Sequence, residues 1–299
     1  MAIYRLEAKV MSRENRGKSV IAAAAYRAGT KLRDALSDKI YDYSRRIRGV
    51  VRSEVLTPET GPEWGRDPEK LWNAVEAGEK RKDAQLAREF ILAVPPELDP
   101  DAQFRLAAEW AKKELVALGM AAEVSLHHPK TGRNPHVHIL TTLRKLEPEG
   151  LSPKKSREWN EVGLLHHWRE SWADAVNAAL EAAGRTERVD HRSLKDRGID
   201  REPEPKVGPE ATALQRKGTE AVPRKVEERQ FVKTQNDVRP LMRAVQETGE
   251  IRLHGMGRTW WERSMRVVSK IRENILGVAK RTWRSIIGKD KGDGPEISH

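Results

Sequence analysis

Residues 3–10, IYRLEAKV, alternate apolar and polar positions, and a period of two predicts a strand at the start of the chain. The alanine-rich run SVIAAAAYRAGTKLRD, residues 19–34, turns helical, with Ser19 able to cap it and Gly29 weakening it near its end. Residues 37–57 hold Tyr41 and Tyr43 and then RIRGVVRSEVL, which reads as one or two strands or an exposed ribbon. PEKLWNAVEAGEKRKDAQLA, residues 68–87, predicts a helix in which Trp72, Val75 and Glu79 recur at helical spacing beside a stripe of Glu76, Lys80 and Asp83. REFILAVP, residues 88–95, alternates as a central strand, and residues 99–118 form an amphipathic helix closed by Gly119. Two short strands follow, AAEVSLHH and VHILTTL, joined by PKTGRNP, whose Gly132, Asn134 and prolines supply turn chemistry. A long helix over residues 156–183 carries Trp159, Trp168 and Trp172. Strands and helices in this order, with a hairpin among them, predict an α+β sandwich with a largely antiparallel sheet covered by helices.

That hairpin holds the densest candidate chemistry. His136 and His138 are two apart on a strand and therefore share a face. An antiparallel partner strand carries either His127 or His128 back toward them. Three neutral imidazoles converging from two strands form a plausible divalent-metal site with open coordination positions. The bland alternative is a hairpin with surface histidines. His166 and His167 are adjacent on the long helix, face different ways, and read as surface residues.

Charge changes the picture of partners. The net charge of +11 and the pI near 9.8 favour a polyanion, either nucleic acid or an anionic membrane surface. With no cysteine, a disulfide framework, a thiolate metal site and a cysteine nucleophile are all excluded. The first residues lack the apolar core of a signal peptide and no run of about 18 apolar residues occurs, so a soluble, cytoplasmic protein is expected. Charged residues are 34% of the chain and aromatics 5%, which predicts that part of its length is solvated helix or linker. Packing is expected over residues 1–200, a proline-punctuated linker over 201–228 and a helical tail over 229–299. Between Met256 and Lys291 there are ten Lys or Arg against three Asp or Glu, +7 of the chain's +11. Trp261, Met265, Val268, Ile271 and Ile275 fall at helical spacing there, giving a basic amphipathic helix fit to meet membrane, DNA or a partner protein.

Taken together, MAIYRLEAKVMSR, KSVIAAAAYRAG, LWNAVEAGEKRKDAQLAREF, NPHVHIL and VDHRSL, in this order over roughly residues 1–210, resemble the MobA/MobL (MobQ) relaxases of the HUH endonuclease superfamily. The resemblance implies a five-stranded antiparallel sheet flanked by helices and a metal-dependent relaxase that nicks one strand at a plasmid origin of transfer. It makes Tyr26 the nucleophile of a 5′-phosphotyrosine intermediate and His127, His136 and His138 the ligands of Mg²⁺ or Mn²⁺. Its partners would be single-stranded and supercoiled plasmid DNA, accessory mobilisation proteins and a type IV coupling protein. Glu76, placed ahead of Glu79, or Glu79 itself could orient a histidine or accept the phenolic proton, and Lys80 or Lys82 could meet phosphate oxygens. An i, i+4 ion pair between Glu76 and Lys80 is the structural alternative. His128 departs from the acidic residue found at that position in the family, and Tyr41 and Tyr43 are rival nucleophiles. A rolling-circle replication initiator of the same superfamily, and a non-catalytic DNA-binding accessory protein, are the competing readings.

Overall fold

In a computed structural model, the described residues are 3–13, 19–129, 134–208, 211, 214 and 224–248. The chain divides into two compact units, Met1–His191 and Arg192–His299. At the centre of the first is a five-stranded antiparallel sheet of β1 (Leu6–Ser12), β4 (Val50–Leu56), β5 (Gln85–Ala93), β6 (Ala122–His127) and β7 (His136–Thr142), in the order β1-β5-β7-β6-β4. The helices are α1 (Val20–Ala28), α2 (Pro68–Ala77), α3 (Pro100–Glu114) and α4 (Val162–Ala182). A ribbon of β2 (Lys31–Asp34) and β3 (Lys39–Asp42) stands beside α1, and β8 (Leu146–Glu147) pairs with β9 (Gly150–Leu151).

The period-two alternation of each strand gives the sheet two different faces. Phe90 and Leu92 of β5, Val124 and Leu126 of β6, and Val137 and Ile139 of β7 point to the α3 and α4 side. There Phe90 meets Trp168 edge-on at 5.1 Å between ring centroids, and Trp110 meets Trp172 at 5.5 Å. Each such ring contributes roughly 1.5–3 kcal/mol by leaving water. The opposite face receives α1 and α2, with Val20, Ile21, Leu71 and Trp72 fully buried. Four consecutive buried alanines, Ala22–Ala25, let the backbone of α1 lie close to the sheet.

Several predicted helices are shorter than the pattern implied, and the one expected over residues 156–183 begins only at Val162, with Trp159 on a separate 3₁₀ turn over Arg157–Asn160. Helix α1 stops at Gly29, which adopts φ 62°, and Lys31–Asp34 is a strand. Helix α2 ends at Gly78, so residues 79–84 lie outside it and Gln85 already begins β5. The Glu76, Lys80, Asp83 stripe therefore does not form. The glycine's backbone entropy and the strand preference of the residues beyond it outweigh the helical spacing.

In the second unit the segment expected to be linker is partly bound. Asn236 of α5 (Arg224–Thr248) brackets the backbone of Glu202, donating to its carbonyl and accepting from its N–H, both at 2.8 Å. Arg239 pairs with Asp200 at 2.8 Å and Arg229 with Glu204 at 2.9 Å. The predicted basic helix over 256–291 lies outside the described residues. Among the described residues no helix is long and apolar enough to cross a membrane.

Candidate metal centre

The register of β6 on β7 sets His127 opposite His136 and Ser125 opposite His138. His127, His136 and His138 thus leave the sheet on the α1 side, with ring centroids 4.8 to 5.5 Å apart. One ring nitrogen from each lies within 4.8 Å of the others. His128, one residue on, points to the other face, where its Nε2 meets Gln103 Oε1 of α3 at 2.6 Å. The alternation of the strand decides between the two adjacent histidines, and it is His127 that joins the group.

Each ring is held by a partner that fixes its tautomer. His127 Nε2 donates to the carbonyl of Arg27 at 2.6 Å, and His136 Nδ1 donates to the carbonyl of Asn134 at 3.0 Å. A carbonyl only accepts, so the proton sits on that nitrogen and the other carries a lone pair. His138 Nδ1 meets Glu89 Oε1 at 2.8 Å, which leaves its Nε2 as the lone-pair nitrogen. Asn134 reaches its position with φ 65°, a left-handed conformation that asparagine tolerates. Burial lowers the His127 pKa to about 4 and also lowers that of His136, so both rings are neutral at physiological pH. Three imidazoles whose ring nitrogens approach this closely fit a divalent ion, and three nitrogens alone leave further coordination positions to other ligands.

Glu89 joins this site to the tyrosine helix. Burial alone would raise its pKa, but hydrogen bonds from His138 and Arg27 outweigh that and hold the carboxyl well below its usual range. Arg27 Nε donates to the same Oε1 at 2.8 Å, and both side chains are buried. Neither residue stood out in the sequence pattern. The available signal was an arginine closing the alanine-rich helix and the one acid of a mostly apolar strand, where Arg88 stands beside it.

Tyr26, the residue before Arg27, is 50% exposed, its ring edge-on to Tyr43 at 5.3 Å. The fold brings Tyr43 there because Gly29 turns the chain into β2, and Tyr43 N–H returns from β3 to bond the Thr30 carbonyl at 3.1 Å. Ser19 caps α1 by accepting from Ile21 N–H.

The remaining expected site residues lie elsewhere. Glu76, near the end of α2, is buried against the start of α1 at Val20, which lies six residues and about 9 Å of helix rise before Tyr26. Its Oε2 accepts from Val20 N–H at 2.9 Å and its Oε1 is held by Arg13 at 2.6 Å, so neither the histidines nor Lys80 is its partner. Lys80 and Lys82 are exposed in the connection before β5, whose stretch from Gln85 to Ile91, opposite His138, spans about 20 Å. Glu79 is bonded to Arg144 at 2.9 Å and Lys155 at 3.0 Å at that same distant end.

A family model described as the MobA/MobL family matches residues 18–217. The chain belongs to the MobA/MobL family. Among MobA/MobL relatives, the mobilization protein MobL of Acidithiobacillus ferridurans is 36% identical over 249 residues, 73% of this chain and 65% of that protein. The conjugal transfer protein TraA of Agrobacterium fabrum is 34% identical over 247 residues, 73% of this chain but 22% of that one. This chain thus spans less than two thirds of either relative. A structure from work on the molecular basis of vancomycin resistance transfer in Staphylococcus aureus is 33% identical, with a TM-score of 0.58, covering 64% of this chain and 100% of that one.

Proposed function

We propose that this MobA/MobL chain cleaves and rejoins one strand of plasmid DNA at an origin of transfer, with Tyr26 as nucleophile and His127, His136 and His138 as the ligands of a divalent metal. The observation that carries the reading is the bond from His127 to the carbonyl of Arg27, the residue next to Tyr26. It ties the residue that follows the half-exposed Tyr26 to one of the three grouped imidazoles. The mobilization and conjugal transfer names of the relatives support the same reading.

The chemistry suits these residues. A phenol is a weak nucleophile until its proton is removed or its oxygen polarised. When bound, a divalent ion would draw charge off the non-bridging oxygens of the scissile phosphate and orient it. The Tyr26 oxygen would form a bond to phosphorus as the bond to the 3′ oxygen breaks, giving a 5′-phosphotyrosine and a free 3′ hydroxyl. Because one phosphodiester replaces another, the step can run backward and rejoin the strand. Mg²⁺ favours oxygen ligands, so of the two expected ions the all-nitrogen set suits Mn²⁺ better. Glu76 holds the start of the tyrosine helix in place, and the reading needs no role for Lys80 or Lys82. Accessory mobilisation proteins and a coupling protein are the partners that such an activity would require.

The test is to incubate the full chain with single-stranded fragments of a candidate origin in Mn²⁺ or Mg²⁺ and look for a covalent adduct by denaturing gel and peptide mass spectrometry. The adduct is expected on Tyr26 and should vanish in Tyr26→Phe and in chelator. An adduct that survives in Tyr26→Phe would move the nucleophile to another tyrosine and sink the assignment.

A further inference from the structure

We propose that Arg27 is a positioning residue that locks the helix of Tyr26 to two of the three histidines, so that metal binding and the placement of the phenol are coupled. The proposal rests on the roles just given to Tyr26 and the histidines.

One residue makes three connections. Its carbonyl accepts from His127 Nε2 at 2.6 Å, its Nε donates to Glu89 Oε1 at 2.8 Å, and its Nη1 donates to the carbonyl of Ala23 at 2.8 Å. The Glu89 oxygen that Arg27 reaches is the one bonded to His138 Nδ1 at 2.8 Å. A backbone bond and a side-chain relay therefore run from residue 27 to His127 and His138, while His136 answers to the hairpin turn through Asn134.

Docking the helix does not require this charge. Val20, Ile21, Ala24 and Ala25 already pack α1 against the sheet. A buried guanidinium adds little hydrophobic stabilisation and carries a desolvation cost that only a well-aligned carboxylate offsets. What the pair does supply is direction. Nε and Nη1 are rigidly related in a planar fork, so bonding Glu89 and Ala23 together fixes the last turn of α1 against β5. Tyr26 sits on that turn. Rings that must present lone pairs to one ion tolerate displacements of only about half an ångström. A shift of Glu89 or of the helix end would misplace His138 and His127 together, and the phenol with them.

Arg27→Lys keeps a cation for Glu89 but replaces the fork with a single point. In the full chain we expect far-UV circular dichroism to be unchanged, the Mn²⁺ dissociation constant measured by electron paramagnetic resonance to rise about tenfold or more, and kcat for oligonucleotide cleavage to fall with KM nearly constant. Because Arg27 acts through Glu89, the metal-affinity losses of Arg27→Lys and Glu89→Gln should be strongly non-additive in the double variant. Leu180→Ala, in the core under α4, serves as a control that lowers stability without touching the site. Wild-type Mn²⁺ affinity in Arg27→Lys, additive losses in the double variant, or losses equal to those of Leu180→Ala would each overturn the proposal. If Arg27→Lys does not fold, the neutral pair Arg27→Gln with Glu89→Gln, which removes both charges together, replaces it and must show the same weakened Mn²⁺ binding. The Mn²⁺ titration does not depend on cleavage. Failure of the Tyr26 adduct with Arg27-dependent metal binding intact would overturn the nicking activity and leave the lock in place.

Discussion

The two faces of the central sheet are made from alternate residues of the same strands, and they solve different problems. On the α3 and α4 face, Phe90, Trp110, Trp168 and Trp172 interlock with aliphatic side chains and the strands contribute mainly carbon. On the α1 and α2 face the same strands contribute Glu89, Glu123, Ser125, His127 and His138. Apolar packing tolerates exchange of shape if volume is kept, whereas a buried polar network loses function when one member moves. The difference teaches where to look. The edge-on aromatic rings are on one face, and the buried network of histidines, Glu89 and Arg27 is on the other.

His138→Ala should separate the faces most widely. It removes one of three imidazoles and leaves Glu89 with only Arg27, so Mn²⁺ affinity should fall by more than about 100-fold, beyond the usual range for losing a supporting contact. Trp172→Ala on the other face should cost about 3–5 kcal/mol of stability in a denaturant melt, yet leave the metal affinity of the folded fraction unchanged. If the two variants gave the same profile, the division of labour between the faces would be wrong. Glu89→Gln should lie between them. Leaving Arg27 buried without a full counter-charge should destabilise the unit by up to about 3–5 kcal/mol, and the weakened hold on His138 should lower Mn²⁺ affinity about 10- to 100-fold. The melt and the titration must both move.

The α3 and α4 face was legible in the sequence because it depends on period. Alternating strands and tryptophans spaced along a helix announce a core without any knowledge of partners. The histidine pair was legible for the same reason, since residues two apart on a strand share a face. The carboxylate that orients His138 was not. Glu89 reaches it only because β5 pairs with β7 in a register that sets Ile91 opposite His138, and nothing local encodes that pairing. Glu76 stood out instead because a helix was expected to continue past Gly78, where the chain in fact leaves for β5. The choice between His127 and His128 likewise needed the register of β6 on β7.

The smallest effect sharpens the contrast through its sign. Burial raises the pKa of Glu123 to about 7, against a hydrogen bond from Trp72 Nε1 that favours the ionised form. From about pH 4.5 to 7 the folded chain therefore holds a proton that the unfolded chain has released, and this group makes stability fall as pH rises. His127 acts in the opposite direction. With its pKa lowered to about 4, the unfolded chain binds the extra proton between about pH 4 and 6.5, and stability rises with pH across that window. His136, also lowered, adds to the rise. In the wild type the two slopes oppose each other. Glu123→Gln keeps an acceptor for Trp72 and removes only the acid's titration, so its metal-free stability should climb between pH 4.5 and 6.5 and exceed the wild type by about 1–3 kcal/mol near pH 7. Urea melts at half-unit pH intervals read this directly. A variant curve parallel to the wild type would mean that Glu123 does not keep its proton in the folded chain, and that the α1 and α2 face tolerates a buried charge even where no cation is bonded to it.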